Sequence, residues 1–427
     1  MSADADQRTS KMSGFHNLTR EEKVAKVYDF TQKNQHQDPL TQDDTVFLYE
    51  LTGHNCDCAR KVDEASLNEL EGNYFDHVTS RLSENAITTK QFPYSITPNM
   101  KVNGKDYLIP MAIEESSVVA TIGNISRFAR EGEGIISKYI SSEMIGQIQM
   151  SRFKDEGEAY KAMDIIKANE QDILKIANVQ DPILVKHGGG ARRIAQEYLD
   201  SKIGPMVVTE LHVDTGYAMG ANAVNTMCEA VAPFIEDITG AKVFLRILTN
   251  LAERRVVQTD VKVKTEDFVK KDFPIEAVIE GINNADAFAW ASSKRASTHN
   301  KGIMNGVDAV AIATGQDFRA LEAGAHSYAA RNGRYEPLST WHADEDYILG
   351  SLSLPMAVGT VGGASAIDRL VQTSYKILDL ERGAYELGEV IAATGAIQNL
   401  GALRALAMEG INKGHMKLHS DNMAMAA

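Results

Sequence analysis

Four side chains in this sequence have the types needed to move protons and stabilise developing charge. They are Glu115 in IPMAIEESSVVA, Lys301 and Asp317 at the two ends of KGIMNGVDAVAIATGQD, and His415 in KGHM. A lysine beside a largely uncharged helix can hold a cation in a dry site, where it would stabilise an oxyanion. Asp317 could orient that lysine and keep it protonated, whereas the plainer reading makes the pair a helix-end lysine and a helix-start aspartate. Periodicity does not choose between them. Glu114 and Glu115 are flanked by apolar residues, and partial desolvation of a carboxyl group raises its pKa toward the range useful for proton transfer. The residues alone favour a solvated loop acid. His415 follows Gly414 at the end of an alanine- and leucine-rich helix, a place more often filled by a dipole partner than by a catalytic acid.

Two glycine runs, HGGGAR at 187–192 and GTVGG at 359–363, precede helix- or strand-forming stretches. Backbone N–H groups can approach an anion at such places, although turns and close packing are equally served. No G-x-G-x-x-G lies between a strand and a helix, so motif reading alone does not identify a dinucleotide site. His54, Cys56 and Cys58 form an H-x-C-x-C cluster with no second Cys/His pair nearby, too few donors for tetrahedral zinc. No metal is expected.

The elements that must position these residues follow from patterning. Residues 20–34 read as a surface helix after a Thr19 cap. Residues 99–113 carry the Asn-Gly turn and alternation of a hairpin. From about 144 to 255, helix-like and strand-like pieces alternate, which predicts a compact α+β insertion. Within it MDIIKANEQDILKIA reads as one helix, and DPILVKHGGGAR as a strand breaking into glycines. GPMVVTELHVDTGYAMG and AKVFLRIL read as strands, and MGANAVNTMCEAVAPFI as a helix. Beyond 276 the chain is helix-rich, with a helix expected to start near Ala364, directly after GTVGG.

At 427 residues the chain is long enough for two or three domains. A net charge of −14 argues against nucleic acid or an anionic membrane as the main partner. Three cysteines suit a reducing compartment. The first dozen residues have no apolar core, and the longest uncharged stretch, 347–367, is broken by four glycines and Pro355, so the cytoplasm is the expected location.

Taken in order, EESSVVA (114–120), YAMGANAVN (217–225), TNLAERRVVQ (249–258), the long run 300–341, GTVGGA (359–364) and LGALRALAMEGINKGHMKLH (400–419) closely resemble class II hydroxymethylglutaryl-CoA reductases. The matches span about 90–419. The resemblance implies an α+β fold: a large helix-rich substrate domain (1–144 and 256–410), an inserted small ferredoxin-like nucleotide-binding domain (145–255), and a short C-terminal flap (411–427) carrying His415. Glu115 then resembles the proton-shuttling acid, and Lys301 the cation that polarises the thioester and later the aldehyde. Asp317 resembles its hydrogen-bonding partner, and His415 the acid for the departing CoA thiolate. Ser117, Arg295, Asn305, Asn250 and Gln398 match substrate-lining positions. Met219, Gly220 and Asn222 match nicotinamide-nucleotide contacts, with Gly189 and Gly362 in the two glycine runs. A homodimer sharing its active sites is implied, with room for higher assembly.

The chain departs from the family pattern at Tyr217, where an acidic residue usually precedes AMGAN, and in having only a dozen residues after His415. Asp181 falls where an acid favours the free ribose hydroxyls of NADH, while Arg192 and Arg193 could pair the 2′-phosphate of NADPH. The balance favours NADH. Two other functions remain to be weighed: reduction of a different acyl-CoA, against which Arg295 and Ser117 argue, and non-catalytic CoA binding, against which the presence of all four catalytic-type residues argues.

Overall fold

The computed structural model describes residues 8–50, 84–86, 90–130, 134–270, 273–363 and 367–409. His54, Cys56, Cys58 and His415 lie outside the described residues.

The chain begins with α1 (Arg20–Thr31), opened by a capping box in which Thr19 and Glu22 satisfy each other's backbone N–H, and α2 (Gln42–Glu50). β1 (Tyr94–Val102) and β2 (Lys105–Ala112) form the expected hairpin, with Asn103 and Gly104 both at positive φ as a two-residue turn requires. α3 (Ser116–Ala129) and β3 (Gly134–Tyr139) follow.

Next come β4 (Glu143–Ser151), α4 (Glu156–Ala168), α5 (Glu170–Val179), α6 (Pro182–Lys186), β5 (Gly190–Ser201), β6 (Gly204–Asp214), α7 (Ala221–Thr239) and β7 (Lys242–Leu248). These strands make an antiparallel sheet in the order β5-β6-β4-β7. This is the βαββαβ arrangement of ferredoxin-like folds. Met144, Ile148, Val207, Leu211 and Val213 meet Val224, Met227, Val231 and Ile235 of α7 in a core separate from that of the rest of the chain.

β8 (Val256–Lys264), α8 (Ile275–Ala291), α9 (Ser293–Ala313), α10 (Phe318–Ala329), β9 (Ser339–Ala343), β10 (Tyr347–Pro355), α11 (Arg369–Leu378) and α12 (Ala384–Arg404) complete the described chain. The second sheet has the order β2-β1-β3-β8-β10-β9. α12 is buried along most of its length against this sheet, α3 and α9. By length and composition Ala384–Met408 could cross a membrane, but most of its apolar window is spent in this core. α9 approaches α12 through Gly306, where a Cβ would lie 2.9 Å from the Thr394 carbonyl oxygen.

Three expectations are corrected. PILV is not a strand: Asp181 accepts from the Leu184 N–H as an N-cap and Pro182 occupies the first helical position, so a five-residue helix forms and β5 starts only at Gly190. The stretch MDIIKANEQDILKIA is two helices broken at Asn169, whose φ of −106° and ψ of 17° leave the helical range. The helix after GTVGG starts at Arg369, where the Asp368 carboxylate caps the Leu370 and Val371 N–H groups, and half-exposed Ile367 stays outside it.

Candidate active site

Glu115 sits where the buried end of β2 turns into α3. Val118, Ile122 and Ile125 pin the helix face into the core, so the carboxylate is held at the helix N-cap, half-buried, where the macrodipole favours negative charge. Its side chain does not cap the helix; it accepts a 2.7 Å hydrogen bond from the Ser117 hydroxyl. Glu114 beside it is exposed.

Lys301 lies midway along α9, so the helix-end reading fails. Its side chain is exposed in the single subunit, and no carboxylate pairs with it among the described residues. One turn on, Asn305 is half-buried. Gly306 then packs against Gln398, whose Oε1 is buried without a hydrogen-bond partner among the described residues. Ahead of Lys301, half-buried Arg295 has no acidic partner among the described residues, and burial lowers its pKa. α3 also rests on α12, with the Thr121 methyl against Gly401, so the helices carrying Glu115 and Lys301 share one support.

Asp317 is the N-cap of α10. It accepts from the Ala320 N–H at 3.2 Å and pairs with Arg319 at 3.2 Å, with nearly half of its side chain exposed. The helix-start reading of this aspartate therefore holds, and within one subunit the expected Lys301–Asp317 pair is not formed. α10 packs at Gly324 on the turn containing exposed Asn250. A water-poor pocket around Lys301 is thus not built by the described residues of one subunit.

The second group of residues converges between the two cores. Gly220, with φ 97°, caps α7 without offering a side chain, leaving the first-turn N–H groups of a nineteen-residue helix beside half-buried Met219 and exposed Asn222. The 358–360 segment lies directly on this loop: the Thr360 N–H donates to the Tyr217 carbonyl at 3.0 Å. Gly359 is clamped at both backbone groups by the Gln316 side chain, at 2.8 and 3.0 Å. Gly362, at φ 78°, is exposed just beyond. Gln316, the residue before Asp317, thereby ties this loop to the α9–α10 turn. Sequence reasoning missed it, although an uncharged amide inside ATGQD was its only signal.

The HGGGAR run serves packing: a Cβ on Gly189 would lie 2.8 Å from the Asp214 carbonyl oxygen. Asp181 is occupied as a cap. Arg193 is held by Glu143 at 2.9 Å and His212 at 2.8 Å, while Arg192 is half-exposed with Asp214 at 3.6 Å.

The family model for hydroxymethylglutaryl-coenzyme A reductase matches residues 55–420. The chain is 44% identical over 420 residues to 3-hydroxy-3-methylglutaryl-coenzyme A reductase of Archaeoglobus fulgidus, covering 98% of this chain and 88% of that protein. A probable reductase of the same name from Borreliella burgdorferi is 33% identical over 79% of this chain and 76% of its own length. The solved Streptococcus pneumoniae reductase superposes with a TM-score of 0.79 at 33% identity, covering 93% of this chain and 99% of that one. A class II structure from the same organism, bound to NADPH in open conformations, gives 0.80 at 32% identity with the same coverage. A match of this extent in sequence and fold leaves one conclusion: the chain belongs to the hydroxymethylglutaryl-coenzyme A reductase family, on its class II branch.

Proposed function

We infer that this protein is an oxidoreductase that converts 3-hydroxy-3-methylglutaryl-CoA to mevalonate and CoA with two equivalents of NAD(P)H. The observation that carries the reading is family membership along nearly the whole chain, together with intact Glu115, Lys301, Asp317 and His415. Nicotinamide supplies a hydride at each of two steps, and the chain must supply the rest. Lys301 stabilises the negative oxygen at the thioester carbonyl and again at the aldehyde. Glu115, oriented by Ser117, delivers the proton to that oxygen, and Asp317, which does not reach the lysine within one subunit, holds it once a second copy completes the site. His415 protonates the thiolate as the hemithioacetal collapses. Arg295 binds the carboxylate end of the substrate, with Ser117, Asn250, Asn305 and Gln398 around it.

The α7 N-terminus, Met219–Gly220–Asn222 and Gly362 fit the nucleotide, because open N–H groups at a helix end and a glycine-lined approach suit its phosphates. We assign nucleotide binding to 145–255, substrate binding to 1–144 and 256–410, and a closing flap to 411–427. The exposure of Lys301 and Asp317 in one subunit supports a homodimer in which a second copy completes and dries the site. We favour NADH: Arg193 is engaged by Glu143 and His212, which leaves it poorly placed for a 2′-phosphate. Gly189 and Asp181 keep at most a secondary part. Low cysteine usage supports a cytosolic location.

The test is absorbance at the nicotinamide band with hydroxymethylglutaryl-CoA, NADH and NADPH in parallel. Two cofactors consumed per thioester is expected, faster with NADH. No consumption of either would reject the activity, and faster NADPH turnover would reject the preference.

A further inference from the structure

Arg255 is the largest fully buried side chain of the described residues, and no carboxylate pairs with it among them. A buried guanidinium without an acid is costly, and an apolar residue of similar volume would pack there more cheaply. Its five N–H donors are spent on oxygens from three separate segments. Nε donates to the Tyr139 hydroxyl at the end of β3. Nη1 donates to Thr215 Oγ1 at 2.8 Å and the Met219 carbonyl at 2.7 Å. Nη2 donates to the Ala218 carbonyl at 3.0 Å and the Val358 carbonyl at 2.7 Å. The main chain of Arg255 is fixed as well, since its carbonyl accepts from the Met356 N–H at 2.8 Å.

These bonds have a directional consequence. In a trans peptide the C=O and the next N–H point in opposite directions. Drawing the Ala218 and Met219 carbonyls onto the guanidinium therefore turns the Met219 and Gly220 N–H groups away from it, with the Met219 nitrogen set against Gly359. The same guanidinium holds Val358, so the 217–220 loop and the 358–360 segment are set against each other by one residue from a third segment. A lysine, with a single nitrogen, cannot reproduce this fork.

We propose that Arg255 is a positioning residue for the nicotinamide nucleotide, fixing the 218–220 backbone and the 358–360 segment as one preformed platform across the boundary between the two cores. This rests on the reading that Met219, Gly220 and Asn222 contact the nucleotide.

The test uses the full-length enzyme. NADH and NADPH dissociation constants are read from nucleotide fluorescence, and KM for the acyl-CoA is read in parallel, for Arg255→Lys, Thr215→Val and Asn222→Ala. Arg255→Lys should weaken nucleotide binding about tenfold or more while moving acyl-CoA KM less than about twofold. Thr215→Val, which removes one acceptor and keeps the volume, should weaken it by about threefold and covers the case in which Arg255→Lys does not fold. Equal shifts for nucleotide and acyl-CoA, or an unchanged nucleotide constant in folded Arg255→Lys or Thr215→Val, would overturn the positioning role. If Asn222→Ala alone leaves nucleotide binding intact, the loop assignment itself fails and the proposal falls with it. Weakened Asn222→Ala beside unaffected Arg255 and Thr215 variants rejects positioning only.

Discussion

The Ser117 hydroxyl donates to Glu115 Oε1 at 2.7 Å across the first turn of α3, so the proposed proton-donating acid is oriented by a residue of its own motif. Glu115→Gln should lower kcat by about 10²–10⁴-fold, the span of a general acid's contribution. Ser117→Ala should cost about tenfold or somewhat more, one hydrogen bond to a charged group. If Ser117 works through Glu115, the double variant will be little slower than Glu115→Gln alone. Multiplicative losses in steady-state rates would mean that the serine acts separately.

Lys301 is exposed in the subunit and packs into no core, so its removal should leave folding intact. Lys301→Ala is expected to melt within about 2 °C of the parent yet lose about 10²–10³ in turnover, as oxyanion stabilisers do. Thermal denaturation beside steady-state kinetics decides this. Full activity in the folded variant would reject the oxyanion role.

Gly359 has no room for a side chain: a Cβ would collide with the Met219 backbone nitrogen and lie 3.1 Å from the Ala218 carbonyl carbon. Gly359→Ala must therefore displace the loop assigned to the nucleotide. The KM for NAD(P)H should rise by about tenfold with that for acyl-CoA nearly constant. Equal changes in both would disconnect this contact from nucleotide binding.

Burial, with Arg295 nearby, pushes the His299 imidazole down to about 4, and its Nε2 is paired with Ser339 Oγ at 2.7 Å. The unfolded chain takes up a proton near pH 6.5 while the folded chain stays neutral, so stability falls as pH drops from about 6.5 toward 4. At pH 5 this group should cost about 2 kcal/mol relative to pH 7. Asp308 acts with the opposite sign: burial beside Glu322 raises its carboxyl well above the usual carboxylate range, and stability is lost as pH rises from the ordinary aspartate value. The difference between the parent and His299→Gln in denaturant unfolding at pH 5 and 7 isolates the histidine. An identical pH slope in both would exclude it.

The hairpin at 99–113, the Thr19 cap and the apolar face of α7 were legible because each depends on residues within a few positions of one another. Where local signals conflicted, the sequence misled. At 181–185 apolar PILV pointed to a strand, but the Asp-Pro cap signal won because the Asp181 side chain satisfies the Leu184 N–H and Pro182 suits the first helical position. Residues 364–368 misled in the same way, with Asp368 rather than GTVGG opening the helix.

Motif order by itself determined the family, and with it the residues expected to do chemistry, because chemistry constrains residue type at spacings that survive along the chain. Only the tertiary structure decided which of them meet. It placed Asp317 on Arg319 rather than Lys301, left Lys301 at the subunit surface, and gathered Tyr139, Thr215, Ala218, Met219 and Val358 around Arg255. Those partners lie 36 to 116 residues from the arginine, and a carbonyl oxygen has the same identity in every residue, so no sequence pattern records where it points.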